Sequence, residues 1–174
     1  MKFKVFLAVV ASIGLLAGAI FEEGRAQSPE LLREYPKIFE ISQKGKESCE
    51  KGELSVCVDM TRQVSQKIEG LRTSAGSFGE RLLLIATRAL TAAGHNVARG
   101  VVAVNKGDKD QACILLGNAL LHVANAAEAL DFLPLPNWEE EIKRSVRRLQ
   151  ADSTAQRRKL RPLVNKVCPS GEAL

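Results

Sequence analysis

Arg81–Val104 reads RLLLIATRALTAAGHNVARGVVAV, Asn105–Asp110 reads NKGDKD, and Gln111–Leu133 reads QACILLGNALLHVANAAEALDFL. Two long apolar stretches are thus separated by one short polar break that holds a glycine and two aspartates, which is the pattern of two buried helices joined by a tight turn. Ala and Leu dominate both stretches, and these residues favour helices, whereas sheets are enriched in β-branched and aromatic residues. Only 5% of the 174 residues are aromatic while 45% are hydrophobic, so a core large enough for one domain must be filled by Ala, Leu and Val. The composition predicts an all-α fold.

On a helical wheel the first stretch, extended from Phe78 to about Val104, places Arg81, Arg88, Thr91, His95, Arg99 and Lys106 on one narrow strip. The second places Gln111, Asn118, His122, Asn125 and Ala129 on a similar strip, with Cys113, Leu116, Leu120, Val123, Ala127 and Leu130 opposite. Helices with so little polar surface require neighbours on most sides. Asp108 or Asp110 is positioned to cap the second.

Upstream, Leu54, Cys57, Thr61, Val64, Ile68, Leu71 and Ala75 recur at alternating threes and fours, one apolar stripe on an amphipathic helix that begins at Glu53 and breaks at Ser74–Ser77. Before it, Ser28-Pro29-Glu30 is a helix start, with serine as cap and proline at the first helical position. Pro36 predicts an interruption, leaving a short piece over Leu31–Tyr35 and a helix over Pro36–Glu50, with Gly52 marking the turn. Downstream, Pro134 and Pro136 end the second apolar helix. Asn137 and Glu140 have capping-box spacing, and a last helix carries Trp138, Ile142, Val146, Leu149, Leu160, Val164 and Val167 inward. Its outer face holds Arg144, Arg147, Arg148, Arg158, Lys159 and Lys166, and Pro162 predicts a kink or an end before Cys168. The expected architecture is an up-down four-helix bundle preceded by a short N-terminal helical arm or hairpin.

Residues 1–26 have the layout of a secretory signal: Lys2 and Lys4, an uncharged apolar run from Val5 to Phe21, and a small-residue exit. Cleavage sites compete after Ala19 and after Ala26; the second leaves residues 27–174 as one domain and lowers the formal charge from +5 to +4. Alanine, not cysteine, follows Leu16-Ala17-Gly18, so no lipid anchor is expected. The competing reading is an uncleaved membrane anchor. No later segment reaches eighteen apolar residues without a charge, so the mature form is expected not to span a membrane, and its mild basic excess does not indicate a nucleic-acid binder.

Four cysteines in a secreted chain imply two disulfides. If the helices from residue 53 onward alternate in direction, Cys49, Cys57, Cys113 and Cys168 gather at one end, which favours pairing Cys49 with Cys57 and Cys113 with Cys168. A four-thiolate metal site is the alternative, but no Cys-x-x-Cys pair is present. The early pair, Cys49 and Cys57, resembles in arrangement the first cysteine pair of the plant inhibitors of invertase and pectin methylesterase, which implies inhibition of an extracellular enzyme. Cys168, at the extreme end of the last helix, departs from that pattern.

No catalytic signature is found. His95 and His122 fall at similar heights on neighbouring antiparallel helices, so a haem or metal pair is an alternative reading. Both sit on polar strips without Glu-x-x-His spacing, however, and neither metal nor cofactor is expected. The Lys106–Asp110 segment lacks the central glycine and final acid of a calcium loop, and Gly76–Gly79 is not a nucleophile elbow. What remains is a binding surface. The two basic outer faces belong to helices diagonal to each other in a square bundle, so they merge only at the stapled end, near Lys106, Lys109, Arg158, Lys159 and Lys166. The expected partner is an extracellular or periplasmic protein or an anionic surface. The alternative is a small hydrophobic ligand held in room that the alanines and glycines leave in the core.

Overall fold

A computed structural model describes residues 27–133 and 135–168; the expected signal segment lies outside the described residues. These residues form five helices and one 3-10 turn, with no strand among them: α1 Pro29–Glu50, α2 Leu54–Arg72, α3 Phe78–Asn105, α4 Lys109–Asp131 and α5 Glu140–Val167, the 3-10 turn being Leu135–Asn137.

The first helix corrects the expectation of a short arm. It runs for 22 residues straight through Pro36, with Ser28 accepting a hydrogen bond from the Leu31 amide. A proline inside a helix costs about 3 kcal/mol. On either side of it, however, Leu31, Tyr35 and Ile38 are fully buried, each contributing about 1.5–3 kcal/mol, so packing outweighs the local penalty. Pro162 is likewise carried inside α5, which continues to Val167.

Helix α1 packs on α2, α3 and α5, and is thus a central element; α2 packs on α1 and α3, while α4 packs on α3 and α5. Hydrogen bonds fix the registers. Tyr35 Oη and Thr87 Oγ1 are 2.9 Å apart, and Ser42 Oγ and Thr91 Oγ1 are 2.8 Å apart. Both numbers rise together, so α1 and α3 run the same way. Lys46 Nζ lies 2.6 Å from Asp152 Oδ1 and ties α1 to α5, while the Glu139 amide donates to Gln27 Oε1 near their other ends. The Glu80 carboxylate is buried and accepts from the amides of Ser28, Gly76 and Ser77, so one side chain closes a capping box and anchors the start of α1.

Two turns bring the helices together tightly. Gly52 and Gly107 adopt φ of 78° and 79°, and the amides that follow, Glu53 and Asp108, reach back to the carbonyls of Ser48 and Ala103. This is the Schellman ending, in which glycine takes the left-handed position. Asp108 then caps α4 by accepting from the Gln111 amide. At the start of α5 the N-cap position belongs to Glu139, not Asn137.

By length and composition alone α4 is long and apolar enough to cross a membrane. In the fold, Leu115, Leu116, Ala119, Val123 and Ala126 bury one side of it between α3 and α5. The main core is continuous across all five helices. Ala103, Ala112 and Leu115, with Val167 against them, form a small second cluster of α3, α4 and α5 residues beside the Gly107 turn.

Candidate functional site

Disulfides join Cys49 to Cys57 across the α1–α2 hairpin and Cys113 to Cys168 between α4 and α5, and no cysteine is free among the described residues. These are the pairs that alternating helices favour. Two such bonds are what an oxidising compartment produces.

The five basic residues singled out from sequence are all exposed. Lys106 and Lys109 flank the Gly107 turn. Lys166 lies in the last turn of α5, whose Val167 packs against the small cluster at that end. Arg158 and Lys159 sit lower, about 12 Å along α5 from Lys166 at 1.5 Å per residue. The end of the molecule therefore holds three of these cations, and the flank of α5 holds the other two.

That flank borders a trough between α4 and α5. Its upper part, about 690 Å³, is walled by Ile114, Gly117, Leu121 and Ala124 of α4 and by Arg157, Arg161 and Val164 of α5, and is closed by the Cys113–Cys168 bond. A lower part of about 590 Å³ continues from Arg157 and Arg161 past Arg158 and Thr154 to Asp131 and Gln150. The small residues Gly117, Ala124 and Ala127 on the α5-facing side of α4 give the trough its depth. A Cβ added to Gly117 would meet nothing within 4 Å. By contrast, a Cβ on Gly100 would lie 2.8 Å from Leu116 Cγ, and one on Gly45 would lie 2.9 Å from Met60 Cβ. Those two glycines serve helix contact, whereas the room beside Gly117 stays open. The upper rim is apolar and uncovered: Ile114 is 57% exposed and Leu121 50%.

From Ser153 to Cys168 the chain carries Arg157, Arg158, Lys159, Arg161 and Lys166 and no acidic residue. None of the five is in an ion pair among the described residues, although Lys143, earlier on the same helix, pairs with Glu140. The trough thus combines an apolar wall with unpaired guanidinium groups. Arg157 and Arg161 were absent from the sequence expectation. Their signal is present there: the apolar stripe of α5 lapses between Leu149 and Leu160, where Ser153 and Gln156 stand, and an Arg pair at i, i+4 flanks the lapse.

The histidines do not form a pair. Leu116 against Gly100 places α4 on that side of α3, and five positions at 100° each turn His95 about 140° away from it. His95 is half-buried, with its Nε2 enclosed and without a hydrogen-bond partner among the described residues, which corrects its placement on an outward strip. Burial, followed by the nearby Arg99 charge, lowers its pKa from the ordinary histidine value. Thr91 and Ala129, expected on polar strips, are buried as well; Thr91 donates its hydroxyl to the Thr87 carbonyl and pairs with the Ser42 hydroxyl. Among the described residues no three His, Cys, Asp or Glu side chains gather as a metal site would require.

Comparison with known families, curated proteins and solved structures finds no match for this chain.

Proposed function

We propose that this is a secreted, non-enzymatic binding protein whose disulfide-stapled end and adjoining flank of α5 hold an acidic protein partner. The helices are read as alternating up and down, with α1, α3, α4 and α5 as the bundle and α2 laid against α1 and α3. The residues of the signal layout would be removed on export, leaving Gln27 near the mature start. The observation that carries the reading is the run of five cations from Arg157 to Lys166 with no acid among them and, among the described residues, no ion pair. Charges left unpaired on one face steer and hold a partner of opposite sign. Inhibition of an extracellular enzyme is one form such binding would take.

A carrier role in the core gains less support, because Gly45 and Gly100 are used to bring helices together and the free volume lies at the surface, between α4 and α5. The test of the basic-end reading is retention on a polyglutamate surface compared with a polylysine surface, across a salt titration. Retention on polyglutamate should weaken steeply with salt and disappear in the triple variant Arg158→Glu, Lys159→Glu, Lys166→Glu. Unchanged retention by the triple variant would remove the basic end from the account.

A further inference from the structure

We propose that the α4–α5 trough docks one acidic amphipathic helix of the partner, with carboxylates on Arg157 and Arg161 and apolar side chains over Gly117 and against Ile114 and Leu121. The proposal rests on the reading of the basic end as a protein-binding surface and names what that surface recognises. Three observations select this occupant. The trough follows α4 from Cys113 to Asp131, about 27 Å at 1.5 Å per residue, which is the length of a helix of about 18 residues. It is open along its side, with Ile114 and Leu121 half exposed, whereas a small-ligand site encloses most of its occupant. An apolar wall beside unpaired cations complements a helix that carries apolar anchors every three or four residues and acids next to them.

Gly117 provides the decisive variant. A Cβ there would meet nothing within 4 Å, and replacing a helical glycine raises helix propensity, so Gly117→Leu is expected to keep the fold while its side chain takes up room in the trough. Randomised 18-residue peptides displayed on phage are selected against the disulfide-intact protein, and the enriched peptides are measured by fluorescence anisotropy against variants. The expected peptides are net acidic with apolar residues at i, i+3 or i+4, and i+7. Their affinity should fall at least tenfold in Gly117→Leu and in the Arg157→Glu, Arg161→Glu pair, and less in Lys159→Glu, Lys166→Glu, with unchanged circular dichroism. Acidic peptides that lack the apolar period and bind Gly117→Leu as well as the parent would overturn the trough while leaving the basic end standing. Enrichment of neutral or basic peptides, or of none, would overturn both.

Discussion

Leu116 occupies the space that a side chain on Gly100 would need: a Cβ there would sit 2.8 Å from Leu116 Cγ and 2.9 Å from Cδ2, and Leu116 is fully buried. The residue after it, Gly117, faces open space. Two neighbouring positions of α4 therefore divide its work, one locking α3 against α4 and the other deepening the trough on the α5 side. Gly100→Ala should destabilise the protein. Overpacking costs about 1–3 kcal/mol, against a propensity gain of up to about 1 kcal/mol. Gly94→Ala should stabilise it, because the nearest atom, Cys49 Sγ, is at an ordinary 3.8 Å. Urea titration of both variants checks this, and a stabilised Gly100→Ala would contradict the close packing.

Tyr35 and Thr87 form a buried hydroxyl pair between α1 and α3, and Thr87 also donates to the Leu83 carbonyl. Burial pushes the Tyr35 phenol well above its usual pKa, keeping it protonated. Tyr35→Phe leaves Thr87 its second partner and should cost about 1 kcal/mol, whereas Thr87→Val strands the phenol hydroxyl and should cost about 1–3 kcal/mol. The double variant should lose less than the sum of the two, read from denaturation midpoints. Strict additivity would mean that the two hydroxyls do not interact.

The disulfides should differ in weight. Cys113–Cys168 spans 55 residues and Cys49–Cys57 spans 8; by loop-closure entropy the first stabilises by about 4 kcal/mol and the second by about 2.5 kcal/mol. Replacing each pair by alanine and comparing unfolding free energies tests the order. The variant without Cys113–Cys168 should also loosen the trough, seen as faster amide exchange at the start of α4 and the end of α5.

Much of the architecture was legible because it depends on period and punctuation. The stripe from Leu54 to Ala75, the Gly52 and Gly107 turns and the inward row of α5 all follow from spacing alone, and so does an aspartate cap on α4, although spacing left it open between Asp108 and Asp110. The role of α1 was not legible. Pro36 signals a break locally, and only the burial of Tyr35 and Ile38 against other helices reverses it. The wheel also misplaced Thr91 and His95, since a threonine whose hydroxyl finds Ser42 is as acceptable inside as outside. The trough was hidden for a related reason: sequence does not distinguish a glycine that admits a neighbour, as Gly100 does, from one that admits none, as Gly117 does.

His95 gives the fold a pH dependence whose sign follows from its burial. Its folded pKa lies below the ordinary value, from burial first and the Arg99 charge second, so protonation favours the unfolded chain. The stability that depends on a neutral His95 is fully present above the unfolded histidine pKa, near 6.5. It falls as pH drops through that value and stops falling below the folded pKa. Unfolding free energies measured from pH 8 to pH 5 should therefore decline more in the parent than in His95→Gln, which does not titrate. The His95 ring proton, followed by NMR, should titrate below the free-histidine value. A midpoint above that value would reverse the sign, placing a partner for the imidazolium where the structure encloses Nε2 without one.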